Sequence, residues 1–206
     1  MDAQYYLKYI SEKIHTVIVG TVDEEGMPIT SAIDMMDADE SGLYFLTAKG
    51  KNFYDRLKKR GSIALTALQG EDTLSSISIS VRGKVKEIGN DRIPYLFEKN
   101  PYMKQIYPNE GSRMALTVFQ IYEGTGEYFD LSKRPIDRAS FSFGKEEVKE
   151  AGYLITDKCI GCGNCLSVCP QSCIDHDPVP FVIRQNNCLR CGGCMSVCPA
   201  DAVIRR

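Results

Sequence analysis

The segment Cys159-Ile160-Gly161-Cys162-Gly163-Asn164-Cys165-Leu166-Ser167-Val168-Cys169-Pro170 places four cysteines at C-x2-C-x2-C-x3-C-P spacing. Twenty-nine residues on, Cys188-Leu189-Arg190-Cys191-Gly192-Gly193-Cys194-Met195-Ser196-Val197-Cys198-Pro199 repeats it, with eight of twelve positions identical. The 206-residue chain has nine cysteines, and none lies before Cys159. An odd count, in a chain whose first residues carry no secretory pattern, argues against a disulfide framework. Zinc takes paired C-x2-C knuckles, and four thiolates suffice for it. Three cysteines at two-residue gaps suit the corner of a cuboidal cluster better, with zinc as the alternative this spacing leaves.

The doubled motif resembles the bacterial two-cluster ferredoxin, from Gly152 to Arg206. That resemblance implies that Cys159, Cys162, Cys165 and Cys198 hold one [4Fe–4S] cluster and that Cys188, Cys191, Cys194 and Cys169 hold the second. Gly161, Gly163, Gly192 and Gly193 let backbone N–H groups approach the sulfurs. Tyr153–Ile155 and Pro180–Ile183 read as short strands over the clusters, and Ile160, Val168, Leu189 and Val197 as their dry wall. Cys173 aligns with Ala202 at the same offset and reads as a small buried residue. His176 reads as a solvated turn residue.

The rest of the chain is ordinary in composition: 43% hydrophobic, 25% charged, formal net charge −2. That balance argues against nucleic acid as a partner. No apolar run is long enough for a membrane span, and a cytoplasmic location is expected. All-cysteine clusters transfer single electrons and offer no open iron. Residues 1–145 must therefore supply a redox partner, and an organic cofactor that links one- and two-electron chemistry, a flavin, suits that need. The expected division is a domain at 1–145, a charged linker at 146–151 and the cluster domain at 152–206.

Periodicity predicts a leading helix within Ala3–Lys13, strands at Thr16–Val22, Ile29–Met35 and Leu43–Thr47, a helix at Lys51–Arg60 and a strand at Ser62–Leu68. Ser76–Val81 alternates strictly and continues to Ile88 past Gly83. Helical turns follow at Asp91–Lys99 and Pro101–Ile106, then two strands, Met114–Tyr122 and Glu127–Phe129. Strands joined by short turns predict a mainly β fold with α elements: an antiparallel split barrel with rim helices, plus the small ferredoxin-like domain. Neither a Rossmann nor a P-loop fingerprint is present.

Pro28–Asp34, Gly42–Lys51, Ser62–Leu65 and Ile79–Val85, in that order and spacing, resemble the pyridoxamine-phosphate-oxidase-like FMN-binding split barrel over roughly Leu7 to Phe143. The resemblance implies a homodimer through the barrel with FMN at its interface. Thr30, Ser31 and Ala32 would face the ring, and Leu46, Thr47, Lys49, Lys51 and Asn52 would surround the phosphate. The family's phosphate-binding basic residue falls on Phe53 here, leaving Lys51 or Arg56 to replace it. Ser78 or Ser80 would reach the flavin edge. Arg138, with Phe141 and Phe143, would cover the flavin or dock the two domains. His15 and Arg113 read as surface or edge residues.

The resulting expectation is an oxidoreductase that passes electrons between FMN and two [4Fe–4S] clusters, to or from a redox protein or a small molecule. No catalytic acid or base stands out. The alternative is a non-enzymatic electron carrier or redox sensor whose barrel is a docking domain. Deazaflavin or haem in place of FMN is also compatible with the sequence.

Overall fold

Asp2 starts the leading helix α1 (Ala3–Tyr9) by accepting the Tyr5 amide hydrogen at 3.0 Å, satisfying one of the donors every helix start leaves open. Tyr6 and Leu7 form its buried side. The helix then loosens into one π turn, Ile10–Ile14, which ends at His15 with φ 66° and ψ −68°. The computed structural model describes residues 2–206.

Seven antiparallel strands follow: β1 (Thr16–Val22), β2 (Pro28–Asp39), β3 (Gly42–Ala48), β4 (Ser62–Gln69), β5 (Ile77–Gly89), β6 (Leu116–Asp130) and β7 (Asp137–Phe143). Their order is β3-β2-β1-β4-β5-β6-β7, and an added β3–β6 pairing closes six of them into a barrel. Period-two alternation puts Val17, Val19 and Thr21 of β1, and Ile63, Leu65 and Ala67 of β4, inside. Each large side chain so buried contributes roughly 1.5–3 kcal/mol. Helix α2 (Asn52–Arg60) turns its buried Phe53 and Leu57 to the barrel and ends at Gly61, whose φ of 60° is the left-handed cap. Between β5 and β6 lie α3 (Ile93–Lys99), α4 (Met103–Ile106) and α5 (Glu110–Arg113). Ile93, Leu96, Phe97 and Met103 pack with Met36, Tyr44, Leu116 and Val118 in a second core.

The barrel with rim helices is the expected architecture. Two local readings change. The strand expected at Ile29–Met35 is longer, because β2 runs on to Asp39 through an irregularity between Met35 and Asp37. Asp37 is 3% exposed there, paired with Arg92 and Lys99. The two strands expected around 114–129 are one 15-residue strand, β6. Gly124 and Gly126 inside it are sites of close approach and not a turn. A Cβ on Gly124 would stand 2.5 Å from the Arg82 carbonyl oxygen, and one on Gly126 2.2 Å from the Phe141 ring.

The chain forms two compact units. The first comprises Met1–Gln69, Ser78–Glu127 and Ser140–Val148. The second comprises Gly70–Ile77, Tyr128–Ala139 and Lys149–Arg206. In the second, β8 (Tyr153–Ile155) pairs with β11 (Val203–Arg205), and β9 (Ile174–Asp175) with β10 (Val182–Ile183). One-turn helices α6 (Asn164–Ser167) and α7 (Gly193–Ser196) follow the first cysteines of each motif. The segment 128–139 is tied into this unit by polar bonds. Ile136 donates its amide hydrogen to Gln171 Oε1 at 2.9 Å, and Asn187 Nδ2 donates to the Ile136 carbonyl at 2.8 Å.

Candidate metal centres and cofactor site

The backbone of the cysteine unit repeats with its sequence. Gly163 and Gly192 have φ of 83° and 81°, Gly161 and Arg190 of 68° and 57°, and Ser172 and Asp201 both 47°. Each pair is 29 residues apart, so the two halves present their cysteines in the same way. Amide hydrogens of Cys173 and Ala202, again an equivalent pair, donate to Cys169 Sγ and Cys198 Sγ at 3.4 and 3.3 Å. The amide of Arg190 donates to Cys188 Sγ at 3.3 Å. Donors aimed at sulfur stabilise thiolates and anionic clusters.

Two cavities open to solvent lie in this unit. One is lined by Cys159, Cys162, Cys165 and Cys198. The other is lined by Cys169, Cys173, Cys188, Cys191 and Cys194. Each takes three motif cysteines from one repeat and the last from the other, and the second adds Cys173. Among the described residues, no three His, Cys, Asp or Glu groups converge on a point that would hold a single metal ion. The thiols instead line a cavity in each case, an arrangement that fits a cluster.

The wall around the cavities is only partly dry. Val168 and Leu189 line the second cavity and Ile160 the first, as expected. Ile160, however, is 68% exposed, so one side of the first cavity is open to solvent. Cys173 is buried, like Ala202, and burial beside Cys169 and Cys188 pushes its thiol well above the usual range. Arg138 belongs to this unit. Its Nη1 donates to the Cys188 carbonyl at 3.1 Å and its guanidinium lies 5.0 Å from the Phe129 ring centroid. Phe141 is buried and stacks on Tyr6 with centroids 4.7 Å apart. Phe143 is buried as well.

In the first unit, Thr30 and Ala32 lie on the exposed face of β2, opposite Gly20 and Ile18 of β1. Ser31 points to the other face and is half-buried, because strand side chains alternate. Ser78 is half-buried on β5 and Ser80 exposed. Lys49, Lys51 and Asn52 are exposed where β3 passes into α2, and Lys51, at the N-cap position, makes no side-chain cap. Leu46 is half-buried against the second core, so it offers that junction no side chain. Thr47 is 4% exposed, and its hydroxyl has no hydrogen-bond partner. A buried polar atom without a partner costs about 1–3 kcal/mol. Arg56 is engaged elsewhere, donating to Thr21 Oγ1 at 2.8 Å.

One constellation has no signature in the sequence. The Tyr102 hydroxyl donates to Asp34 Oδ2 at 2.7 Å and lies 2.8 Å from His15 Nε2, while Thr16 Oγ1 donates to Asp34 Oδ1 at 2.6 Å. Burial pushes the Asp34 carboxyl up, but these hydrogen bonds and His15 outweigh it and hold it below the usual range. Burial and the Asp34 carboxylate push the Tyr102 hydroxyl far up.

A split barrel together with a unit that holds two cysteine-lined cavities defines a redox or electron-transfer protein. Residues 7–131 match the family model described as pyridoxamine 5'-phosphate oxidase, and residues 158–202 match the 4Fe-4S dicluster domain. The chain therefore belongs to the pyridoxamine 5'-phosphate oxidase family and carries a ferredoxin-like 4Fe-4S domain at its C-terminal side. Solved structures agree on the barrel. A NimC/NimA family protein from Clostridium acetobutylicum aligns at 14% identity and a TM-score of 0.57, covering 68% of this chain and 92% of that one. A protein from the same organism, related to general stress protein 26 of B. subtilis and of the pyridoxinephosphate oxidase family, aligns at 20% and 0.52, covering 67% and 92%. A heme binding protein from Mycobacterium smegmatis aligns at 11% and 0.52, covering 68% and 58%. At these identities the likeness concerns the fold. No curated protein matches the chain. Among the described residues, no helix is long and apolar enough to cross a membrane.

Proposed function

We propose that this protein is an FMN- and iron–sulfur-dependent oxidoreductase that exchanges electrons with a redox protein or a small molecule. The pair of cysteine-lined cavities carries the reading. Cys159, Cys162, Cys165 and Cys198 are assigned to one [4Fe–4S] cluster, and Cys188, Cys191, Cys194 and Cys169 to the other, giving a two-site path for single electrons. FMN, when bound, supplies the exchange between one- and two-electron chemistry.

The barrel's residues fit that group. Thr47 offers a buried hydroxyl that lacks a partner, at the strand end that leads into α2. The open amides at the start of α2 and the exposed Lys49, Lys51 and Asn52 add positive potential and donors for a phosphate. Thr30 and Ala32 make their stretch of the outer face of β2 small and uncharged, which suits a flat ring. Ile18 and Leu68, 52% and 62% exposed, extend an apolar outer surface over β1 and β4. A second copy of the chain is the proposed cover, making the protein a homodimer.

Anaerobic purification followed by an absorption spectrum tests the reading. Flavin bands above broad cluster absorbance, one FMN per chain and about eight iron atoms support it. Cluster absorbance with no flavin retained after FMN reconstitution sinks it, and a Soret band assigns the barrel to haem instead.

A further inference from the structure

His15 combines two unusual features. Its backbone sits at φ 66° and ψ −68°, a conformation non-glycine residues rarely adopt. Its ring is also fixed at both nitrogens: Nδ1 lies 3.3 Å from the Ser11 carbonyl oxygen and Nε2 lies 2.8 Å from the Tyr102 hydroxyl.

Counting hydrogens shows what this arrangement favours. The Ser11 carbonyl only accepts, so Nδ1 must carry a hydrogen. Tyr102 has one hydroxyl hydrogen and two strong acceptors within reach, Asp34 Oδ2 and His15 Nε2, besides the weak acceptor Met36 Sδ at 3.4 Å. With a neutral ring, that single hydrogen serves one neighbour and leaves the other unserved. With a second ring hydrogen on Nε2, every bond is made: Nε2–H donates to the Tyr102 oxygen and Tyr102 donates to Asp34. Asp34 is also the charged group paired with the ring, at 3.6 Å. The trio therefore forms one continuous hydrogen-bonded path, and the chain Nε2–H···O–H···Oδ2 can pass a proton along it. The Nε2–H bond breaks as an O–H forms on Tyr102, whose original O–H breaks as one forms on Asp34.

Asp34 shares the outer face of β2 with Thr30 and Ala32, the face assigned above to the flavin ring. Clusters deliver electrons without protons, whereas a flavin that accepts two electrons must also bind at least one proton. We infer that His15, Tyr102 and Asp34 form a proton relay for the flavin. Two electrons come one from each reduced cluster, the proton comes from Asp34, and solvent restores it at His15, whose side chain is 30% exposed. This inference rests on the proposed flavin site. The burial and strong upward shift of Tyr102 suit a group that passes a proton without carrying charge itself.

The test uses the full anaerobic protein loaded with FMN, and the Tyr102→Phe and His15→Asn variants. FMN binding is read by flavin fluorescence, and cluster and flavin bleaching are followed separately after rapid mixing with dithionite in water and in deuterium oxide. Expected are unchanged FMN binding, unchanged cluster bleaching and flavin bleaching slowed about 100-fold in Tyr102→Phe, the scale of a lost general acid. In wild type that step is slowed by deuterium oxide. If Tyr102→Phe does not fold, His15→Asn, which keeps a side chain tolerant of positive φ, gives the same readout. FMN retained with wild-type flavin rates and isotope effect in the variants overturns the relay alone. A wild-type protein that retains no FMN overturns the flavin reading and the relay together.

Discussion

Cys173 Sγ lies 3.5 Å from Cys169 Sγ, and the Cys173 amide hydrogen is donated to that same sulfur. The interaction that matters to Cys169 therefore comes from the backbone of residue 173, and Ala202 makes the same bond to Cys198 without a thiol. Cys173→Ala should retain about eight iron atoms per chain and a wild-type cluster spectrum. Loss of four irons in this variant would make Cys173 a ligand.

Exchange of the last cysteine between repeats gives a crossed outcome. Cys198→Ala should empty the cavity formed by Cys159, Cys162 and Cys165, and Cys169→Ala the one formed by Cys188, Cys191 and Cys194. Each variant should fall to about half the wild-type iron. Double variants separate this from repeat-by-repeat ligation. Cys198→Ala with Cys159→Ala should be no worse than either single change, whereas Cys198→Ala with Cys188→Ala should remove both clusters.

Thr47→Val replaces a buried hydroxyl that lacks a partner with a methyl of similar size. Without cofactor the barrel should be as stable as wild type or more stable, by up to about 1–3 kcal/mol in urea unfolding. FMN affinity should fall about tenfold, the value of one hydrogen bond to a charged group. A variant that binds FMN as tightly as wild type removes Thr47 from the phosphate site.

Asp37→Ala leaves Lys99 and Arg92 without the carboxylate that joins them under β2. Removing one member of so buried a network costs about 3–5 kcal/mol. The urea midpoint should drop accordingly, while the cluster spectrum of the C-terminal unit stays unchanged.

Stability should also fall in acid. Burial pushes the carboxyls of Asp34, Asp39 and Asp130 up, but hydrogen bonds outweigh it: Thr16 and Tyr102 at Asp34, Tyr44, Ser41 and Arg92 at Asp39, and Ser132 and Tyr128 at Asp130. Each folded-state value is thus depressed, so the folded protein binds fewer protons than the unfolded chain. The stabilisation is fully present above the unfolded value near 3.9 and is lost as pH falls through the folded one. Thermal melts should be flat from pH 7 to about 5 and drop steeply below about 4. Asp39→Asn should flatten that drop.

The cysteine sites were legible because their spacing is local: three ligands within seven residues leave little to tertiary structure. Strict alternation in β1, β4 and β5 was legible for the same reason. Glu123-Gly124-Thr125-Gly126 misled, since glycine marks turns and close approaches alike, and only the neighbouring strand tells them apart. His15, Asp34 and Tyr102 gave no signal. They lie 19 and 68 residues apart in sequence, so only barrel closure and the placing of α4 bring them together. The 128–139 segment that carries Arg138 borders the barrel in sequence yet belongs to the cysteine unit, a membership only the folded chain reveals.

The weave of the chain limits how these parts can be traded. A fragment beginning at Gly152 would carry all nine cysteines, yet leave behind Ile136 and Arg138. Gln171, Asn187 and the Cys188 carbonyl would then meet water where they now meet the protein's own backbone and guanidinium. The cysteine unit is therefore no detachable cassette. Grafting it onto another barrel requires the 128–139 segment to be transplanted with it.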